Sequence, residues 1–355
     1  MRILHCISSL SGGGAERQLS YLAPELVSNG IETHIIYLSD GPTPPEFSGT
    51  GVIIHKINAY NNYDPRIIIG IIVCILEIKP QLIQTWIVQM DVVVGFIVRL
   101  INIPWIFREA NSEEAAKYRG RKETLRRFVS HWATCIVANS QSGLEYWKKI
   151  NPTKKLINIE NGIPLKVLNY KQGVSQNNTK NTIVFAGRLK AHKNIETLLR
   201  AFSMSNFDKN IQLLICGTGI QESYLKSVTY KLNIADQTEF LGHVDQDRLL
   251  TLLSNALLFV NPSTYEGCPN TVLEAMSCLC PVAVSLIDAH KAILDEDSAW
   301  FFEPYDTASL SGILNIVKEP MKLQDQAKKA RVLIGNYTVD RMAKKYIEIY
   351  NDILE

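Results

Sequence analysis

The chain has 355 residues, of which 46% are apolar and 20% charged, and its formal net charge is +2. This is an ordinary globular composition, and the length corresponds to about two domains of roughly 150 residues each. A net charge so near zero excludes the strongly basic surface of a protein that binds nucleic acid along its whole length.

The start of the chain leads directly from Met1 and Arg2 into a short strand, so we expect no signal peptide and a cytoplasmic protein. The seven cysteines show no metal-ligand spacing. Most lie within strand or helix patterns, and we expect buried thiols in a reducing compartment.

The first half of the chain alternates strands with helical patterns. Between Met1 and Gly162 it contains the apolar strand segments ILHCIS, THIIYL, VIIHKI, QLIQTW, WIFREA, CIVANS and LINIEN. This alternation predicts an α/β domain, with a parallel sheet covered by helices on both faces.

The apolar region between residues 67 and 107 is too short in each run to cross a bilayer. Its first run, Ile67 to Ile78, has only twelve residues, whereas a spanning helix needs about 20. We predict helix, strand, helix and strand here, packed within the first domain.

A basic segment follows at Lys117 to Trp132, with six Lys or Arg, a single Glu and the apolar residues Leu125, Phe128, Val129 and Trp132 at helical spacing. A basic amphipathic helix suits an anionic membrane surface or a lipid diphosphate. The alternative is a solvated basic face balanced by the preceding Glu113 and Glu114.

The domain organisation is read from a polar stretch between the two halves. We predict a first domain at residues 1–163, a linker at 164–180 and a second domain at 181–337. A last helix, residues 338–355, starts at a Thr or Asp cap.

The second half opens with the strand TIVFAG, which ends at Gly187, and a helix with the pattern NIETLLRAF. Arg188 and Lys193 lie between them, at the carboxyl end of the strand. Two cations there would neutralise a diphosphate and stabilise it as it leaves. The alternative is a pair of solvated loop charges.

The next strand, LLIC, is followed by Gly217 and Gly219 and then by a helix. The dinucleotide-binding fingerprint is incomplete because no third glycine follows, which disfavours an NAD-dependent enzyme.

The segment EGCPNTVLE at residues 266–274 follows the apolar run LLFVNPS. Strand, glycine turn and helix start together place backbone N–H groups and a helix dipole at the carboxyl end of a strand, where an α/β sheet binds anionic groups. Glu266 and Glu274 flank this turn and suit the hydroxyls of a sugar and a ribose. Alternatively, Glu266 caps a turn and Glu274 lies on a solvated helix face.

Taken in order, GRL…K, CGTG, FLGH and EGCPNTVLEAM resemble the C-terminal half of the retaining glycosyltransferases of family 4. The amino end is similar to that family's first strand, glycine loop and helix, with Gly-Gly-x-Glu-Arg at Gly13, Gly14, Glu16 and Arg17. The resemblance covers essentially the whole chain. It implies the GT-B fold, with two Rossmann-like β/α/β domains facing across a cleft and the last helix packed back on the first domain.

The resemblance also implies the roles of individual residues. Arg188 and Lys193 would bind the donor diphosphate, Glu274 the ribose hydroxyls, and Glu266 the donor sugar. The remaining candidates would approach the phosphates, line the base pocket or hold hydroxyls through backbone N–H groups, and they are Gly13, Gly14, Gly217, Gly219, His243, Gly267, Cys268, Pro269, Asn270 and Thr271. His243 could equally be a surface histidine.

The implied reaction needs no cofactor and no metal, because Arg188, Lys193 and helix N-termini supply the positive field. The nearest Asp-x-Asp candidate, Asp295 to Asp297, lies outside the motif set. The sequence departs from many relatives in lacking a histidine after the fifth strand, where Arg108, Glu109 and Asn111 are candidates on the acceptor side. It also has SLIDAHK in place of a glycine pair after a later strand.

The resemblance implies a nucleotide-sugar donor, expected to be a UDP-sugar. For the acceptor we expect a lipid-linked glycan of a bacterial surface polysaccharide such as O-antigen, met at the inner face of the membrane through residues 117–132. The alternatives are a soluble acceptor, a nucleotide-sugar epimerase, and a non-catalytic partner that binds nucleotide or glycan.

Overall fold

The computed structural model describes residues 1–10, 13–38, 47–61, 63–170, 181–205 and 207–355. The chain divides into two compact units. Unit 1 comprises Met1–Pro164 and Tyr337–Glu355, and unit 2 comprises Leu165–Asn336.

Unit 1 is built on a seven-stranded, entirely parallel sheet with the order β3-β2-β1-β4-β5-β6-β7. All seven strands predicted in this half are confirmed. Their bounds are β1 Arg2–Cys6, β2 Glu32–Tyr37, β3 Ile53–Lys56, β4 Leu82–Thr85, β5 Trp105–Glu109, β6 Cys135–Ala138 and β7 Lys155–Asn158.

Helices cover both faces of this sheet, as expected for parallel strands whose side chains are apolar on both sides. The helices of residues 1–164 are α1 Gly14–Ser28, α2 Arg66–Ile78, α3 Val88–Ile101, α4 Glu113–Ala116, α5 Arg121–Ser130 and α6 Gln141–Ile150. The predicted order of helix, strand, helix and strand between residues 67 and 107 is confirmed. Among the described residues, no helix has both the length and the apolar character to cross a membrane.

The last helix, α15 (Val339–Leu354), belongs to unit 1, where it packs against α1. Thr338 caps it by accepting a hydrogen bond from the Arg341 N–H. Its apolar stripe joins the core on one face of the sheet through buried residues such as Met342, Tyr346 and Tyr350. The other face of the sheet packs against α2, α3, α5 and α6.

Unit 2 contains a six-stranded parallel sheet with the order β10-β9-β8-β11-β12-β13. Its strands are β8 Thr182–Ala186, β9 Gln212–Cys216, β10 Thr238–Gly242, β11 Leu258–Asn261, β12 Val282–Ser285 and β13 Trp300–Phe302. Its helices are α7 Leu165–Leu168, α8 Ile195–Met204, α9 Glu222–Lys231, α10 Gln246–Asn255, α11 Asn270–Ser277, α12 Asp288–Lys291, α13 Thr307–Leu314 and α14 Pro320–Leu333.

The limits of the units differ from the predicted domain limits by a few residues. Residues 165–168 form α7 in unit 2, whereas we predicted a linker from residue 164, and residues 171–180 of that linker lie outside the described residues. Tyr337 belongs to unit 1 because Ile163 donates its N–H to the Tyr337 carbonyl oxygen at 2.7 Å, and Val339 donates to that of Ile163.

The basic segment at 117–132 forms a shorter helix than we predicted. Gly120, with φ of +53°, separates α4 from α5, and α5 has only ten residues. Val129, one of the apolar residues predicted at helical spacing, is buried in the core, and so is the basic Arg126. Val129 lies in the core against Gly95 of α3, and Arg126 is buried because it forms ion pairs with Asp91 and Glu109.

Candidate functional site

In unit 2, β8 and β11 are neighbours, although the chain forms two other strands between them. From β8 the chain continues to one side of the sheet, and from β11 it continues to the other. The loops that follow the two strands therefore run in opposite directions and leave a crevice at the carboxyl ends of the strands. Open α/β sheets bind ligands in such a crevice. These loops carry the predicted residues Arg188, Lys193 and Glu266.

Lys193 and Glu266 form an ion pair between these two loops, with the ammonium donating to Glu266 Oε1. Each side chain is 13% exposed. The Ser263 hydroxyl lies 2.8 Å from the same oxygen. Burial acts to raise the pKa of Glu266, but the charge of Lys193 and the hydrogen bonds from Lys193 and Ser263 outweigh it and lower the pKa to about 2. Glu266 is therefore a carboxylate at any physiological pH.

A series of buried hydrogen bonds links this pair to Ser285 and His290. Ser285 donates its hydroxyl to the Ser263 carbonyl oxygen, and His290 Nδ1 donates to the Ser285 carbonyl oxygen at 2.7 Å. Burial lowers the pKa of His290 to about 4, so its ring is neutral. The sequence analysis singled out neither serine, although Ser263 was detectable as a polar residue at the end of an apolar strand. His290 lies in the SLIDAHK segment that departs from the family pattern.

A second contact joins the same two loops. The ring of His192 stacks on that of Tyr265, with centroids 4.7 Å apart and planes at 15°. Thr264 donates its N–H to the His192 carbonyl oxygen at 2.8 Å. Sequence reasoning missed this stack, because its two members lie on separate strand–helix connections.

Arg188 is exposed immediately after β8, and its neighbour Leu189 is buried. The Leu189 N–H donates to the Thr218 carbonyl oxygen at 2.9 Å, which holds this loop against the one after β9. A Cβ atom on Gly217 would lie 1.9 Å from the Gly187 oxygen, and one on Gly219 would lie 2.3 Å from the Leu189 oxygen. Both glycines thus allow the two loops to approach each other.

His243 is exposed after β10, and it lies near these glycines because Gly217 donates its N–H to the Gly242 oxygen at 2.7 Å. The structure therefore places Gly217 beside the residue before His243, whereas Gly219 lies against Leu189. The role of the two glycines and His243 in binding a base stays a prediction.

The predicted turn and helix start after β11 are present. Gly267 and Pro269 are buried, and α11 begins at Asn270. The turn residues Cys268, Asn270 and Thr271 are partly exposed at this N-terminus, where the helix dipole favours an anion. Glu274 lies one turn further along and is fully buried, with Gln246 Nε2 donating to its Oε1 at 3.3 Å.

On unit 1, Gly13 caps α1 in an extended conformation and Gly14 is the first helical residue. A Cβ on Gly13 would lie 2.1 Å from Oε2 of Glu16, so the Glu16 side chain folds back over this glycine. Residues 11 and 12 of the predicted glycine loop lie outside the described residues.

Two of the three candidates for the acceptor side are buried, which contradicts that assignment. Arg108 stacks on Trp86 and donates to Tyr346 Oη at 3.0 Å and to Asn161 Oδ1 at 2.9 Å. Glu109 accepts from Arg126 and Arg119, whose charges outweigh the effect of burial and lower its pKa to about 2. Both side chains therefore serve the core of unit 1, and Asn111, which is exposed, remains a candidate.

Among the described residues, no group of three or more His, Cys, Asp or Glu side chains is arranged to hold a metal ion. The Asp295 carboxylate accepts hydrogen bonds from Ser298, one residue beyond the Asp-x-Asp candidate. Independence from metal stays a prediction.

Comparison with known families identifies the class of protein. A model described as "Glycosyltransferase Family 4" matches residues 12–167, and one described as "Glycosyl transferases group 1" matches residues 168–333. The two matches adjoin and together cover most of the chain, which therefore belongs to the family 4 glycosyltransferases.

Similar proteins include an uncharacterized glycosyltransferase of Methanocaldococcus jannaschii, 28% identical over 53% of this chain and 49% of that protein. An O-antigen chain mannosyltransferase of Salmonella typhimurium is 25% identical over 49% of this chain and 48% of that one. The chain thus spans about half the length of these curated relatives. The crystal structure of Anabaena HepE in complex with UDP-glucose aligns with a TM-score of 0.87 and 17% identity, covering 99% of this chain and 100% of that chain, and shows that the fold is GT-B.

Proposed function

We propose that this protein is a retaining hexosyltransferase. It moves a sugar from a nucleotide-diphospho-sugar to a hydroxyl group of a lipid-linked glycan in the synthesis of a bacterial surface polysaccharide. The observation that carries the proposal is the Lys193–Glu266 pair, which sets a cation beside an ionised carboxylate at the carboxyl ends of β8 and β11. The Lys193 ammonium can neutralise a diphosphate, and the Glu266 carboxylate can accept a hydrogen bond from a sugar hydroxyl.

The donor would be held by charge and by hydrogen bonds. Lys193 and Arg188 would contact the diphosphate, and the N-terminus of α11 would add the positive end of its dipole. Glu266 would accept from the donor sugar, and Glu274 from the ribose. A phosphate oxygen would share the Lys193 ammonium with Glu266, since an ammonium carries three donors.

The reaction needs no group on the far face of the sugar. The acceptor hydroxyl oxygen attacks the anomeric carbon from the side on which the diphosphate leaves, as the bond from that carbon to the phosphate oxygen breaks. The acceptor proton passes to a leaving phosphate oxygen. Arg188, Lys193 and the helix N-terminus stabilise the negative charge that develops on the leaving nucleotide.

Two comparisons support the finer assignments. HepE was solved with UDP-glucose, which favours a UDP-sugar donor for this chain. The Salmonella relative is named an O-antigen chain mannosyltransferase, which supports a bacterial surface polysaccharide as the product of this chain.

The test is release of nucleotide from UDP-, GDP- and ADP-sugars, with and without a bacterial lipid extract. We expect release only when a UDP-sugar and the lipid are both present, and an α-linked product from an α-linked donor by NMR. Release without lipid would favour hydrolysis, and conversion of the donor to another nucleotide-sugar would favour an epimerase. No reaction with any donor and the lipid would contradict the proposal.

A further inference from the structure

The outer side of α3 and α5 in unit 1 exposes large apolar side chains, and the aromatic ones among them contact one another. Leu100 is 83% exposed and Phe128 is 56% exposed. Phe96 contacts Phe128 and Trp132, with ring centroids 6.3 and 5.6 Å apart, and Phe128 contacts Trp132 at 5.1 Å. These residues, with the exposed Leu125 one helical turn before Phe128, are together termed the α3–α5 face.

Charges are sorted across these two helices. Asp91 and Glu123, the acidic residues of α3 and α5, are both buried, and Asp91 and Arg126 form a buried ion pair. The exposed charges of the two helices are all cations, namely Arg99, Arg121, Lys122 and Arg127. The α3–α5 face is thus apolar with a cationic border.

The helix α2, which packs beside α3 on the same side of the sheet, also exposes apolar side chains. Ile68, Ile69, Val73 and Leu76 of α2 are exposed. The one exposed acid of this helix, Glu77, lies two residues before the exposed Lys79. Exposed large apolar side chains thus occur on three helices that neighbour one another in the order α2, α3 and α5, and such a concentration indicates a binding surface.

We propose that the α3–α5 face inserts into the interfacial region of an anionic lipid bilayer, a proposal that rests on the proposed lipid-linked acceptor. Leu and Phe would enter the boundary between headgroups and acyl chains, and Arg and Lys would contact the anionic headgroups. The exposed charges of α3 and α5 are all positive, and this favours a lipid surface as the partner. An anionic bilayer presents negative headgroups on all sides of an inserted apolar patch.

The test is co-sedimentation with vesicles of phosphatidylcholine alone or mixed with phosphatidylglycerol, without donor or acceptor. We expect binding only to the anionic vesicles. Leu125→Ser with Phe128→Ser should weaken it by about tenfold or more, and Arg121→Glu with Lys122→Glu by about a hundredfold. All four positions are exposed, so the fold should be retained.

The matched controls lie on unit 2, at exposed positions of the same chemistry. Met321→Ser with Val332→Ser, on α14, and Lys209→Glu with Lys231→Glu should leave binding unchanged. Equal loss in the controls, equal binding to neutral vesicles, or a dimer in light scattering that Phe128→Ser abolishes would overturn the proposal. Because vesicle binding is measured without turnover, its failure is separate from failure of the transferase reaction.

Discussion

At the scale of single residues, the ion pair of Lys193 and Glu266 sets the charge of the candidate site. Glu266 stays ionised because its pKa is about 2, so the pair together carries no net charge. For the donor binding proposed above, the attraction for a diphosphate would therefore have to come from Arg188 and the α11 N-terminus as well as from Lys193. Removing Lys193 would leave the Glu266 carboxylate without its cationic partner, beside the proposed position of the leaving diphosphate.

We predict that Lys193→Ala lowers kcat by about 10²- to 10³-fold, the range found when one stabilising donor is removed. Circular dichroism should show an intact fold. Adding Glu266→Gln to this variant should recover part of the donor affinity, because the uncompensated carboxylate is gone. Steady-state kinetics, with the donor found in the nucleotide-release assay, would measure kcat and KM separately.

Lys190→Ala provides the control, since Lys190 is an exposed lysine on the same loop. Its turnover should stay close to that of the unsubstituted protein. Normal turnover by Lys193→Ala would show that Lys193 does not stabilise the leaving diphosphate.

At the scale of elements, the loops after β8 and β9 depend on glycine. Gly217 has φ of +134°, a conformation that L-residues rarely adopt, and its N–H is bonded to the Gly242 oxygen. An added Cβ would clash with the backbone oxygen of Gly187. A backbone atom cannot rotate away as the end of a flexible side chain could, so the two loops would have to shift. The position of Arg188 is therefore linked to a glycine 29 residues further along the chain.

We predict that Gly217→Ala lowers the melting temperature and weakens donor binding together, because the two loops must separate. In contrast, Gly312→Ala should be neutral or stabilising by up to about 1 kcal/mol, since Gly312 is exposed within α13 and an added Cβ meets nothing within 4 Å. Thermal unfolding and donor titration of both variants would test this. An unchanged melting temperature for Gly217→Ala would contradict it.

The last helix shows how an element completes a distant sheet. Tyr346 accepts from Arg108 of β5, and Tyr350 donates to Gln84 of β4 at 2.6 Å. Arg108 and Gln84 are buried polar side chains of the sheet, and the last helix supplies hydrogen-bond partners for them. The helix therefore contributes hydrogen bonds as well as apolar area to unit 1.

At the scale of the whole molecule, both units contain histidines that are buried in the neutral form. Burial lowers the pKa of His5 in unit 1 to about 3 and that of His290 in unit 2 to about 4. In unit 2, burial and neighbouring cations also lower the pKa of His192, to about 4. The unfolded chain would bind protons at these sites near pH 6.5, where the folded protein does not.

The sign of the pH dependence follows from this difference. Between about pH 6.5 and 4 the unfolded chain holds more protons at the three histidines, so stability is lost as the pH falls. Burial raises the pKa of Asp91 to about 6, and this carboxyl acts in the opposite direction. Three histidines outweigh one carboxyl, and the net effect is loss of stability in acid.

We predict that the free energy of unfolding falls by on the order of 3 kcal/mol between pH 7 and pH 5. Urea unfolding at the two pH values would measure it. In NMR spectra of the folded protein, the His290 ring should remain neutral at pH 5. Equal stability at both pH values, or a His290 ring that titrates near pH 6.5, would contradict the prediction.

The sequence by itself determined the pattern of strands and the loops that follow them. Apolar runs bounded by glycine and polar residues identified all seven strands of unit 1, because parallel strands buried on both faces leave a strong local signal. The same signal located the segments with Arg188, Lys193 and Glu266, since each lies directly after such a run.

Only the tertiary structure decided which side chains meet. Lys193 and Glu266 are separated by 73 residues along the chain, and the adjacency of β8 and β11 brings them together. Arg108 and Glu109 read as polar residues at a strand end, yet helices from elsewhere in the chain bury both. Periodicity shows that a residue lies on a face of an element, but the partner on that face is set by the packing of the whole unit.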